Sequence, residues 1–139
     1  MRGMATVSLI EYAEASAEVR AVFDDIKCTR NIEDVNNFWK ALANHPPTLK
    51  RIWEELKQVM QPGALDALTK EMIYVAVSIT NGCDYCIHSH TAAARAKRMA
   101  ETQYGELLAV ISMANQTNAL STAMKAPVDA QFSVTPSKG

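Results

Sequence analysis

No stretch of this chain approaches about 18 uninterrupted apolar residues, the usual minimum for a membrane span. The opening residues, Met1-Arg2-Gly3-Met4-Ala5-Thr6-Val7, lack the long apolar run of a secretory signal, so the expected compartment is the cytosol. Lys and Arg form no cluster on a readable face, and the net charge is only −1. Nucleic acid and anionic membrane are therefore not favoured partners. Cysteine is scarce, with 3 in the chain, an odd number that does not suit a disulfide framework. Two of the three form a CxxC pair, which in a reducing compartment reads as redox or metal chemistry. There is no internal repeat and no low-complexity linker.

What remains is an ordinary globular composition, 48% hydrophobic and 21% charged, in 139 residues. That length suggests one domain, over residues 1–132, with a core that needs no staples. The tail from Ser133 to Gly139 offers nothing to bury and is expected to be disordered.

The apolar spacing is helical along most of the chain. Residues 1–15 read as an extended arm. Ser16 caps a helix whose stripe is Val19, Val22, Phe23 and Ile26, with an expected end near Lys27 and a loop from Cys28 to Asp34. Val35, Phe38, Trp39 and Leu42 carry a short second helix. His45-Pro46-Pro47 breaks it, and Pro46 or Pro47 opens the next. That helix has the clearest stripe: Leu49, Ile52, Trp53, Leu56, Val59 and Met60. Gln61-Pro62-Gly63 stops it. Trp39, Trp53, Met99, Met113 and Met124 are expected to be packing residues.

From Asp66 to Thr80 two readings compete. Ile73, Val75, Val77 and Ile79 alternate like a strand. The length favours a helix, and no strand signal follows to complete a sheet. The segment is taken as a buried helix capped by Asp66 and closed by Asn81-Gly82, and the fold class as all-α. A further helix is expected from about Cys83 to Met99. A last one is expected after Thr102, with Asn115-Gln116-Thr117-Asn118 as a candidate interruption and Ala126-Pro127 as its end.

The chemistry concentrates between Glu71 and His90. No charged residue stands between Glu71 and Asp84. On a helical wheel at about 100° per residue, with Cys83 at zero, Cys86 falls at about −60° and His90 at about −20°. His88 falls at about 140°, off that face. Spacing thus selects His90 over His88 as a partner for the cysteines. A helix N-terminus stabilises a thiolate, so at least one thiol is expected to titrate below about 8.5. A neighbouring imidazole can take a thiol proton. Cys83 and Cys86 are near enough in sequence to close a disulfide with modest adjustment. Glu71, if turned inward, would serve as a proton shuttle; at an exposed helix start it would be an ordinary surface acid. A zinc site would need Cys83, Cys86, His88 and His90 together, and the two histidines point apart. Cys28, away from this set, reads as a plain thiol.

Glu71, eleven residues, Cys83-x-x-Cys86, three residues, His90 resembles the core motif of the alkylhydroperoxidase D family, within the carboxymuconolactone decarboxylase-like superfamily. The resemblance is specific over residues 66–100 and looser over 16–125. It implies an all-helical homo-oligomer, a trimer or a hexamer, acting as a thiol-dependent peroxidase or disulfide reductase without cofactor or metal. The resemblance assigns attack on a hydroperoxide to Cys86, resolution to Cys83, and a proton relay to His90 and Glu71. A partner dithiol, such as a lipoyl group on a carrier protein, would then reduce the disulfide. Two departures stand out. Tyr85 occupies the place of a motif histidine, and no glycine follows the motif helix between Lys97 and Ala100. Alternatives are a non-redox lyase acting on a small organic acid, and a redox-sensing oligomer.

Overall fold

The computed structural model describes residues 5–132; the tail expected from Ser133 onward lies outside them. The described residues form α-helices and two 3-10 turns, Tyr12–Glu14 and Ala130–Phe132, with no strand among them. By packing, the chain divides into two units, one ending at Gln61 and the other beginning at Pro62.

The first unit holds α1 (Ala17–Arg30), α2 (Asn37–Leu42) and α3 (Pro46–Val59), with both α1 and α2 packed on α3. Ser16 caps α1 by accepting from the Val19 N–H. α1 runs past Lys27 to Arg30, so Cys28 lies in its last turn, exposed, and not in a loop. The exposed polar side chains there do not oppose a helix, and Asn31 closes it in the left-handed region at φ 53°. The core is Val19, Val22, Phe23, Ile26, Leu49 and the two tryptophans. Trp39 and Trp53 meet edge to face with centroids 5.4 Å apart. The Trp53 indole N–H finds the Asp25 carboxylate at 2.7 Å, which also accepts from Lys57.

The second unit holds α4 (Ala67–Asn81), α5 (Asp84–Ala96) and α6 (Glu101–Met124), with α5 and α6 both packed on α4. Asp66 caps α4 by accepting from Thr69 N–H at 2.7 Å. The segment from Asp66 is a helix, as its length requires. It is not buried all round, because residues two apart on a helix fall on opposite sides. Glu71, Val75 and Ser78 face inward, while Ile73 and Val77 are exposed.

α6 is continuous through Asn115–Asn118. The Thr117 hydroxyl donates back to Met113 O at 3.1 Å, so its polarity is met within the helix. Its cap is Ala100, not Thr102, and Gln103 Oε1 reaches back to accept from the Ala100 N–H at 2.7 Å. Met99 is buried as expected, but Met113 and Met124 project outward with Val110 and Leu120 from an apolar α6 surface. No helix among the described residues is long and apolar enough to cross a membrane.

Candidate functional site

Two short pieces of backbone chemistry build the site. Gly82 ends α4 in the left-handed region at φ 69°, and the Cys83 N–H reaches back to Ser78 O at 3.0 Å. A residue with a Cβ is disfavoured at that φ, which is why glycine stands there. The chain then reverses at once into α5, laying α5 along α4. Cys83 is the N-cap residue of α5 and not part of the helix, a correction to its place on the wheel. Its Sγ accepts from the Cys86 N–H at 3.3 Å, the place a serine oxygen would take in an ordinary cap.

Cys86 follows in the first turn, with His90 four residues later on the same face. Both cysteines are free thiols and partly buried. The Cys86 thiol is pushed up to about 11, first by burial, then by its hydrogen bond to Cys83 and by negative charge at Cys83. Its own backbone N–H opposes this only in part. The lowered thiol expected at the helix start is thus not found at Cys86. Two sulfurs sharing one site do not both take a charge readily. Cys86 therefore holds its proton more tightly than a free thiol.

Glu71 is buried, with 5% of its surface exposed, and faces α5. Its Oε2 lies 2.7 Å from His90 Nδ1. When Glu71 is ionised it only accepts, so Nδ1 carries the proton and Nε2 is left available as a base. The contact is direct, closer than the one-water reach a relay requires.

Two further side chains complete the surroundings. Tyr74 stacks on the His90 ring, with centroids 3.6 Å apart and planes 20° from parallel. Its phenol is held above the ordinary range by burial, and then by negative charge at Cys86, Glu71 and Cys83. Lys97 Nζ stands 3.5 Å from Glu71 Oε1, the carboxylate oxygen that His90 does not use.

His88 turns away, its Nδ1 donating to Asp84 O of its own helix at 2.8 Å. Among the described residues no three His, Cys, Asp or Glu side chains converge as metal ligands.

Comparison with known proteins identifies the family and the fold. The family model of the carboxymuconolactone decarboxylase family matches residues 46–129. The chain belongs to that family. It is similar to the crystal structure of the alkylhydroperoxidase AhpD core from Rhodospirillum rubrum, at 60% identity and a TM-score of 0.92. That match covers 96% of this chain and 100% of the other. An uncharacterized protein of Cupriavidus necator is 32% identical over 80 residues, 57% of this chain and 71% of that protein. The all-helical, AhpD-like fold is thereby shown.

Within this family member, the structure pairs Glu71 with His90 and Cys83 with Cys86. Sequence reading missed Tyr74 and Lys97. The signal was present as phase. Tyr74 is three residues after Glu71 and Lys97 seven after His90, so each shares a helix face with a motif residue. The glycine absent after α5 also has its counterpart here: Arg98 takes the left-handed position itself, at φ 71°.

Proposed function

We propose that this chain is a thiol-dependent peroxidase that reduces hydroperoxides through the Cys83–Cys86 pair. The observation that carries the reading is the direct His90–Glu71 contact at 2.7 Å, which leaves Nε2 available one helical turn from Cys86. A thiol held at about 11 needs such a base to react near neutral pH. His90 takes the Cys86 proton, with Glu71 stabilising the imidazolium. The Cys86 thiolate attacks one peroxide oxygen, and the O–O bond breaks. The alcohol leaves with the proton from His90, and Cys86 becomes a sulfenic acid. Cys83 then attacks the Cys86 sulfur, water departs and a disulfide forms. The balance is two thiols and one hydroperoxide to one disulfide, one alcohol and one water. A dithiol donor, lipoyl-type or similar, returns the pair to thiols.

The apolar surface of α6, with Ile73 and Val77 of α4, supports self-association as a homo-oligomer, a trimer or a hexamer. The compartment in this reading is the cytosol, where dithiol donors keep the pair reduced.

The test is turnover of a small hydroperoxide panel with dihydrolipoyl and other dithiol donors, beside Cys83→Ser and Cys86→Ser. Cys86→Ser should abolish turnover, and mild peroxide should remove two hydrogens from the Cys83–Cys86 peptide by mass. Full activity in Cys86→Ser would overturn the assignment of the nucleophile. An unoxidised pair would overturn the redox reading itself.

A further inference from the structure

Lys97 lies outside the Glu-Cys-Cys-His set, yet its ammonium reaches the set's acid. It stands at the C-terminal cap of α5, where its backbone N–H donates to Ala93 O. Seven residues separate it from His90, two turns, so it leaves the helix on the His90 face. The Glu71 carboxylate is then held at both oxygens, Oε2 by His90 at 2.7 Å and Oε1 by Lys97 at 3.5 Å. Burial alone favours a protonated, neutral acid. A neutral Glu71 would donate its proton to Nδ1 and drive the imidazole proton onto Nε2.

We propose that Lys97 is a positioning residue whose ammonium keeps Glu71 ionised, so that Glu71 accepts from His90 Nδ1 and Nε2 stays open to take the Cys86 proton. The proposal deepens the peroxidase reading and rests on it for the group that His90 serves. The groups on the imidazole are Glu71 and Tyr74 from α4, and the Cys86 and Cys83 sulfurs act on Tyr74 from the start of α5. Lys97 sets a cation against the carboxylate. Without it, the Glu71–His90 pair takes up a further proton more readily, whichever atom bears it. In either form Nε2 is blocked.

The experiment follows Cys86 alkylation by iodoacetamide against pH, localised by tandem mass spectrometry, in reduced wild type, Lys97→Met, Lys97→Gln and Lys97→Arg. Lys97 is 41% exposed, so solvent weakens its influence and the fold tolerates its change. In Lys97→Met and Lys97→Gln the rising limb should move up by about 0.5–1 pH unit, which is ~3–10-fold slower reaction at a pH on that limb. Lys97→Arg, which keeps the charge, should hold the wild-type limb. An unmoved limb in Lys97→Met or Lys97→Gln with wild-type helicity overturns the proposal. So does an equal loss at every pH in all three variants, which would mean a structural role only. Hydroperoxide turnover is measured in parallel. A limb that depends on Lys97 in a protein that turns over no hydroperoxide would overturn the peroxidase reading and leave the Lys97 role standing.

Discussion

His90 Nδ1 and Glu71 Oε2 meet at 2.7 Å across the junction between α4 and α5. Nineteen residues separate them in sequence. The contact exists because Gly82 turns the chain back and Cys83 starts the next helix at once. Replacing the carboxylate by an amide should show what the contact does. Glu71→Gln keeps the shape and an accepting oxygen but removes the charge that stabilises an imidazolium. Peroxide turnover should fall by about 10–100-fold, the usual effect of losing the carboxylate behind a functional histidine. Helicity should not change. Steady-state kinetics with a dithiol donor checks it, and a variant as active as wild type would remove Glu71 from the relay.

Cys86 links the site to stability. Its thiol is raised from an ordinary 9.0 to about 11 in the folded chain. The unfolded chain therefore loses this proton first as pH rises. Between 9.0 and about 11 the folded state binds more protons than the unfolded one, so stability falls with pH. The contribution is fully present below 9.0 and is lost by about 11. Thermal melts of reduced protein across that window should show a decline that Cys86→Ala lacks. Parallel declines in both proteins would mean that Cys86 is not the group responsible.

Much of this site was legible because its parts are local. Asp66 as a cap, Asn81-Gly82 as a stop and the Cys86–His90 spacing are each decided within a few residues, where backbone geometry leaves little choice. The burial of Glu71 was not decided locally, since a lone acid early in a helix serves equally well at the surface. Tyr74 and Lys97 were missed for the same reason. A stack and an ion pair between two helices exist only once the helices lie together. The polar run Asn115–Asn118 misled in the other direction. Its residues are modest helix formers, and a 24-residue helix with satisfied hydroxyls overrides that preference. The period-two pattern of Ile73 to Ile79 likewise yielded to length. Its price is visible as Ile73 and Val77 left on the surface.

Gly82 and Arg98, both left-handed, make opposite predictions. Gly82 sits at φ 69° and faces open space where a side chain would stand. Gly82→Ala therefore meets no clash, and its cost is backbone strain alone, about 1–2 kcal/mol. Arg98 already bears that strain at φ 71°. Arg98→Gly should relieve it, less the greater freedom of glycine in the unfolded chain, for a net gain of about 0.5–1 kcal/mol. Denaturant titrations of both variants measure the two values. A destabilised Arg98→Gly would mean that its side-chain contacts outweigh the strain.

Tyr74 separates a ring's role from a hydroxyl's. Its phenol is held above the ordinary range, so near neutral pH it stays protonated and cannot be a base. What it supplies is a flat surface 3.6 Å from the His90 centroid, which fixes the imidazole plane while Glu71 fixes one edge. Tyr74→Phe keeps the surface and should retain turnover within about 2–3-fold. Tyr74→Leu removes the stack, worth about 0.5–1.5 kcal/mol, and should lower turnover by ~2–12-fold as the ring loses its orientation. The ratio between the two variants is the informative quantity. If Phe loses as much as Leu, the hydroxyl acts directly, as a donor to sulfur or to the bound peroxide. If neither loses activity, Glu71 alone orients His90, and the stack is packing without consequence for the chemistry.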